Sequence, residues 1–139
     1  MPNIRYQRLT NERLPLANKF YKSQRSPMRV GRSEQVWVAQ QAEIIAACCL
    51  KPVADGHWLS ALLVAREQRQ QGVASQLLNT LRSHSQGPIW LFCAPQLLGF
   101  YQRLGFAPCP DLPGELNERL QRYQRKQPLL ALVAAQPGG

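Results

Sequence analysis

Hydrophobic positions along the chain follow two periods, and the switches between them outline the elements. Residues 3–9, NIRYQRL, read as a short first strand with Ile4, Tyr6 and Arg8 on one side. Leu14, Leu16, Ala17 and Phe20 then share one helical face, which predicts a helix over 13–20 capped by Thr10 or Asn11. The period is lost over 21–33, where Lys22, Arg25, Arg29 and Arg32 stand among Pro27 and Gly31, the pattern of a basic loop. Strand character takes over in QVWVAQ (35–40), IIAACCL (44–50) and HWLSALLVA (57–65). Pro52 closes the second run and Ala54-Asp55-Gly56 is a turn signal, so the three strands are expected to form an antiparallel meander.

After residue 65 the helical period returns. Val73, Ala74, Leu77, Leu78 and Leu81 lie on one face, and Gly87-Pro88 stops the helix. IWLFCA (89–94) is a short apolar run, and its strand–helix–strand relation to 57–65 makes those two strands parallel. Pro95 opens a further helix with Leu97, Leu98, Phe100, Tyr101 and Leu104 on its apolar face, ended by Gly105. Phe106-Ala107 is a candidate short strand. A charged helix over 114–126 turns Leu116, Leu120 and Tyr123 inward, and LLALVAA (129–135) is a last strand, able to pair within the chain or across a dimer. The class is α/β with a mixed, mostly antiparallel sheet flanked by helices and a central βαβ crossover.

At 139 residues, with 45% hydrophobic positions, the chain has the size and core of a single domain, expected to span 1–139. That apolar fraction argues against intrinsic disorder. No run reaches the ~18–20 apolar residues of a membrane span, and no secretory signal follows the first residues, so a cytoplasmic location is the expectation. The net charge of +9 favours an anionic partner. Nucleic acid is disfavoured, because the basic residues scatter over 5–32, 66–82 and 103–126 instead of forming one stripe with aromatic platforms. Cys48, Cys49, Cys93 and Cys109 contain no CxxC pair, and His57 and His84 have no companions at ligand spacing, so no metal site is expected.

The stretch ALLVAREQRQQGVASQLL (61–78) carries the chemistry. A strand runs into a polar loop with Gly72 and Ala74, and a helix starts at once. The first N–H groups of a helix lack internal partners and sit at the positive end of its dipole, while small residues admit a phosphate to the backbone. Arg66 and Arg69 add full charges. The loop lacks the GK[ST] of a Walker loop and the GxGxxG of a dinucleotide fold.

RQQGVA (69–74) resembles the R/QxxGxG/A signature of the GNAT acetyltransferase superfamily, preceded by strand residues LLV (62–64) and followed by FYQRLGF (100–106), similar to its second motif. The order of elements is similar over nearly the whole chain. The resemblance implies the GNAT acyl-CoA N-acyltransferase fold and an acetyl-CoA-dependent N-acetyltransferase, moving acetyl to a primary amine by direct attack in a ternary complex. It implies that Leu62, Leu63 and Val64 pair with the pantetheine arm. Gln70, Gln71, Gly72, Val73, Ala74 and Ser75 would wrap the pyrophosphate through main-chain N–H groups, with Arg69 adding a side-chain contact. A splay between strands 57–65 and 89–94 would receive the acyl arm. Tyr101 matches the tyrosine that in many members protonates the departing thiolate.

Two positions depart from the pattern. Ala94 stands where many members carry an Asn that helps hold coenzyme A, and Ile89 where one branch carries a glutamate base. His57, Glu34 and Glu43 are the alternative candidates for the base, with His57 favoured for its titration range. The missing groups leave a second reading open, a non-catalytic module that binds coenzyme A and acts as a regulator or partner. The arginines of 21–33 and 119–125 lie outside the signature loop, and they favour an acidic or amino-acid-like acceptor over a polycationic one.

Overall fold

The computed structural model describes residues 3–31 and 34–134. Their strands form one seven-stranded mixed sheet in the order β1-β2-β3-β4-β5-β7-β6. The strands are β1 (Arg5–Arg8), β2 (Gln35–Gln40), β3 (Ile44–Val53), β4 (Gly56–Val64), β5 (Ile89–Cys93), β6 (Ala107–Pro108) and β7 (Leu130–Ala134). The helices are α1 (Leu14–Ser23), α2 (Val73–His84), α3 (Leu98–Arg103) and α4 (Gly114–Gln124). Strands β2 to β4 form the expected antiparallel meander, β1 adds to its β2 edge antiparallel, and β4 and β5 run parallel across the α2 crossover. β7 pairs within the chain on both edges, with β5 and with β6.

Several boundaries differ from the sequence reading. α1 continues past Phe20 to Ser23, which carries Tyr21 out of the expected loop and into full burial. A short 3-10 turn, Asn11–Arg13, precedes it, and Thr10 caps that turn without a side-chain hydrogen bond. Leu16, expected inward, is 44% exposed. β3 runs through Pro52 to Val53. Its pairing with β2 ends at Leu50, so at Pro52 it has only β4 as a neighbour and a proline can sit there. Gly56 opens β4 because Pro88 O lies 2.0 Å from where a Cβ would stand, and the same carbonyl accepts the His57 N–H at 2.9 Å.

Alternation distributes the apolar residues over two cores. On one side of β4 and β5, Leu59, Leu91 and Cys93 join Leu77, Leu78 and Leu81 of α2 and Tyr101 of α3. On the other, Trp58, Trp90 and Val53 pack with Leu116 of α4. Leu77, Leu78, Leu81 and Leu116 are fully buried, each contributing about 1.5–3 kcal/mol. Tyr123, expected inward from α4, stays 39% exposed with its ring set edge-on against Phe92.

Candidate active site

Parallel pairing between β4 and β5 stops after three registers, His57↔Ile89, Trp58↔Trp90 and Leu59↔Leu91. On its other edge β4 stays paired to β3 as far as Val64. The two strands therefore part beyond Leu59, and the β5-side edge of Leu62–Val64 is open, the splay the sequence reading expected. A bulge lies at the same place: Ala47 opposes Leu63 and Cys49 opposes Ser60, so Ala61 and Leu62 together face Cys48. Ala61 takes φ +57°, a left-handed conformation unusual for alanine. The buried Tyr21 hydroxyl donates to Ala61 O at 2.7 Å and ties α1 to the bulge. Nothing in the local sequence signals this contact.

Beyond Val64 the chain makes a 3-10 turn, Arg66–Gln68, and passes through two left-handed residues, Gln70 (φ +64°) and Gly72 (φ +79°). Gly72 is the N-cap of α2, no side chain caps the helix, and the bond from Gln76 N–H to Gly72 O at 3.0 Å is its first turn. The N–H groups of Val73, Ala74 and Ser75 thus have no intrahelical acceptor. A Cβ at Gly72 would meet nothing within 4 Å, so the residue is set by its φ and presents bare backbone to open space. Arg69 lays its guanidinium across the end of β4, its Nε–H bonded to Val64 O at 3.1 Å.

A cavity of about 620 Å³ joins these parts. Leu62, Leu63 and Val64 form one wall; Arg69, Gln70, Gly72, Val73, Ala74 and Ser75 form the second; Leu97, Phe100 and Tyr101 close the third. Of the candidate cofactor residues, Gln71 alone is not in the lining: its amide turns back to Glu67 O at 3.4 Å. Gln68, Leu97 and Phe100 line the cavity without having been singled out. For Phe100 the signal was present, since it belongs to the FYQRLGF segment.

Tyr101 is 7% exposed and held edge-on between Phe100 (5.0 Å between centroids) and Phe106 (5.8 Å). Burial, reinforced by the Cys93 and Cys48 thiols, pushes its phenol up to about 12. It holds its proton throughout the neutral range. Burial raises the Cys93 thiol as well, which does not suit a nucleophilic thiolate. His57 is not brought to the cavity. It stands at the first registers of β4, paired to Pro52 and Ile89, about 23 Å along the strand from Val64. Glu43 lies next to the β2–β3 turn, beside a separate surface pocket. Glu34 accepts the Gly31 N–H; burial raises both Tyr21 and Cys49 beside the bulge, and the Glu34 charge adds to it. Ala94 follows β5, its carbonyl bonded to Leu97 N–H at 2.9 Å. Among the described residues no group of His, Cys, Asp and Glu could hold a metal ion.

A family model described as an acetyltransferase (GNAT) domain matches residues 32–108, more than half of the chain. The chain belongs to the GNAT acetyltransferase family. Solved structures carry the same fold at low identity. Tetrahymena GCN5 is 15% identical with a TM-score of 0.70, over 95% of this chain and 96% of that one. Escherichia coli ElaA is 16% identical with a TM-score of 0.66, over 96% and 99%. N-acetylglutamate synthase from Neisseria gonorrhoeae, complexed with coenzyme A and N-acetyl-glutamate, is 15% identical with a TM-score of 0.69, over 98% of this chain and 36% of that one. No curated protein is similar to this GNAT chain in sequence. No helix among the described residues is long and apolar enough to cross a membrane.

Proposed function

We propose that this GNAT domain, residues 1–139 acting as one unit, is an acetyl-CoA-dependent N-acetyltransferase that moves acetyl to a primary amine by direct attack in a ternary complex. One observation carries the reading: an open strand edge, an uncapped helix N-terminus and a protonated phenol form three walls of the same cavity. The donor set suits the cosubstrate. The edge of Leu62–Val64 offers main-chain groups to the amides of a pantetheine arm, in the manner of an added strand. The N–H groups of Val73, Ala74 and Ser75, with the Arg69 guanidinium, offer positive charge to a pyrophosphate.

Acetyl-CoA supplies an activated acetyl thioester. The residues around it orient the thioester in the splay and manage two protons. In the transfer a nitrogen–carbon bond forms, the carbon–sulfur bond breaks, and Tyr101 gives the hydroxyl proton to the departing sulfur. The amine's proton leaves on the other face of the sheet, where Glu34 is the carboxylate brought near the bulge; His57 stands outside the cavity lining. Free cysteines accord with a reducing compartment, the cytoplasm. The test is a panel of amines incubated with acetyl-CoA, reading released thiol and the mass of the N-acetyl product. Acetyl-CoA binding with no turnover on any amine would overturn the reading in favour of a non-catalytic module.

A further inference from the structure

The site described so far uses one face of β4 and β5. The other face carries an unexplained cluster. Trp58 of β4 and Phe92 of β5 point away from Tyr101, into the core formed with α4. Their rings lie 5.5 Å apart, and Tyr123 of α4 stands 6.5 Å from Trp58 and 6.1 Å from Phe92. Phe92 follows Leu91, the last β5 residue paired to β4, so the cluster lies at the apex of the splay. The Arg119 guanidinium sits over Trp58, 4.5 Å from the ring centroid.

This arginine is incompletely satisfied. Arg119 Nε and Trp58 Nε1 are both buried donors without an acceptor among the described residues. The acid one helical turn earlier, Glu115, is the natural i,i+4 partner, yet it pairs with Lys51 at 3.8 Å. Arg119 reaches only the Tyr123 hydroxyl, through Nη1 at a long 3.4 Å. Buried donors left unmade cost free energy, and a half-buried guanidinium without a counter-charge costs more. Two such donors in one aromatic cluster call for an oxygen anion beside an apolar body.

We infer that this cluster is the acceptor subsite, and that the acceptor is a small amine carrying a carboxylate and an apolar side chain, the chemistry of a free apolar amino acid. The carboxylate docks on Arg119, the apolar body lies against Trp58 and Phe92, and the amine is delivered to the splay from the face opposite Tyr101. Tyr123, two-fifths exposed and weakly held, turns aside as the ligand enters. Arg119 is here a specificity-determining residue, and the inference rests on the acetyltransferase reading above.

The experiment compares phenylalanine with phenethylamine, which keeps ring and amine and lacks the carboxylate, in the full chain with saturating acetyl-CoA. A charge-assisted hydrogen bond of about 1.5–3 kcal/mol gives phenylalanine a kcat/KM advantage of about ten- to a hundredfold. Arg119→Gln brings that ratio to near one without changing acetyl-CoA affinity, whereas Arg125→Gln at the end of the same helix leaves it unchanged. Equal rates for the two amines, or discrimination that survives Arg119→Gln, would overturn the inference. If neither amine turns over, calorimetry with coenzyme A-saturated protein decides. Phenylalanine binding that Arg119→Gln abolishes sustains the carboxylate subsite and sinks the transfer reading alone; absence of binding overturns the subsite.

Discussion

Replacing Tyr101 by Phe removes one oxygen and leaves the ring between Phe100 and Phe106, so the fold and the cavity wall are expected to persist. The magnitude of its effect on turnover follows from where the proton sits. With the phenol pushed up to about 12, roughly one molecule in a thousand is ionised at pH 9, and essentially every enzyme carries the active form. A free thiol titrates near ~8.5, so complete transfer from this phenol to a solvated thiolate would be uphill by about 5 kcal/mol. Two effects reduce that gap. The burial that raises Tyr101 also raises any thiolate formed in the slot, as it does Cys93. The proton need only be shared as charge develops on sulfur. A charge-assisted hydrogen bond sets a floor of about tenfold, and general acid catalysis an upper range of about 10²–10⁴-fold. We expect kcat for Tyr101→Phe to fall by about a hundredfold, with acetyl-CoA affinity unchanged. In the unaltered protein kcat should show no basic limb from this group below pH ~11, where an ordinary phenol would already be titrating. The linked stability has the same sign: it is complete below about 10 and lost as pH rises toward 12. Single-turnover kinetics measure the chemical step directly. An unchanged single-turnover rate would refute the proton-donor role and leave Tyr101 a packing residue.

Gly72→Ala introduces a Cβ at φ +79° and should cost about 1 kcal/mol of stability in denaturant unfolding. Calorimetry should show a larger loss, at least tenfold, in coenzyme A affinity, because the methyl would project into the space proposed for the pyrophosphate. Tyr21→Phe deletes the hydrogen bond to Ala61 O and should lower kcat several-fold, with a stability cost of about 1–3 kcal/mol. Hydrogen exchange of residues 60–64 should rise in that variant, and unchanged exchange there would mean that the bulge holds itself. Leu116→Ala empties a fully buried position under Trp58 and Trp90 and should cost about 2–5 kcal/mol, read by urea unfolding.

The elements and the bare helix N-terminus at Gly72 were legible in the sequence because both depend on local chemistry. Period decides whether a face of helix or strand can be buried, and Gly72 next to a helix start creates bare N–H groups wherever that helix is placed. So LLV, RQQGVA and FYQRLGF pointed to Leu62–Val64, to the helix N-terminus and to Tyr101, which the fold gathers around one cavity. What the sequence left undecided depends on contacts between residues far apart. Tyr21 reads as the start of a basic loop until Ala61, forty residues on, offers it a carbonyl. Pro52 reads as a strand end until β2 is seen to stop short of it. His57 shares a strand with the cavity-lining residues, and only the position where β4 and β5 part shows that it stands before the splay and outside that lining. The charge divides in the same way. Composition shows a basic excess that asks for anions, and the motif places Arg69 beside the cavity. Only the packing of α4 against the far face of the sheet singles out Arg119 among the remaining arginines, because a half-buried guanidinium whose Nε lacks an acceptor is a property of its neighbours and not of the residue itself.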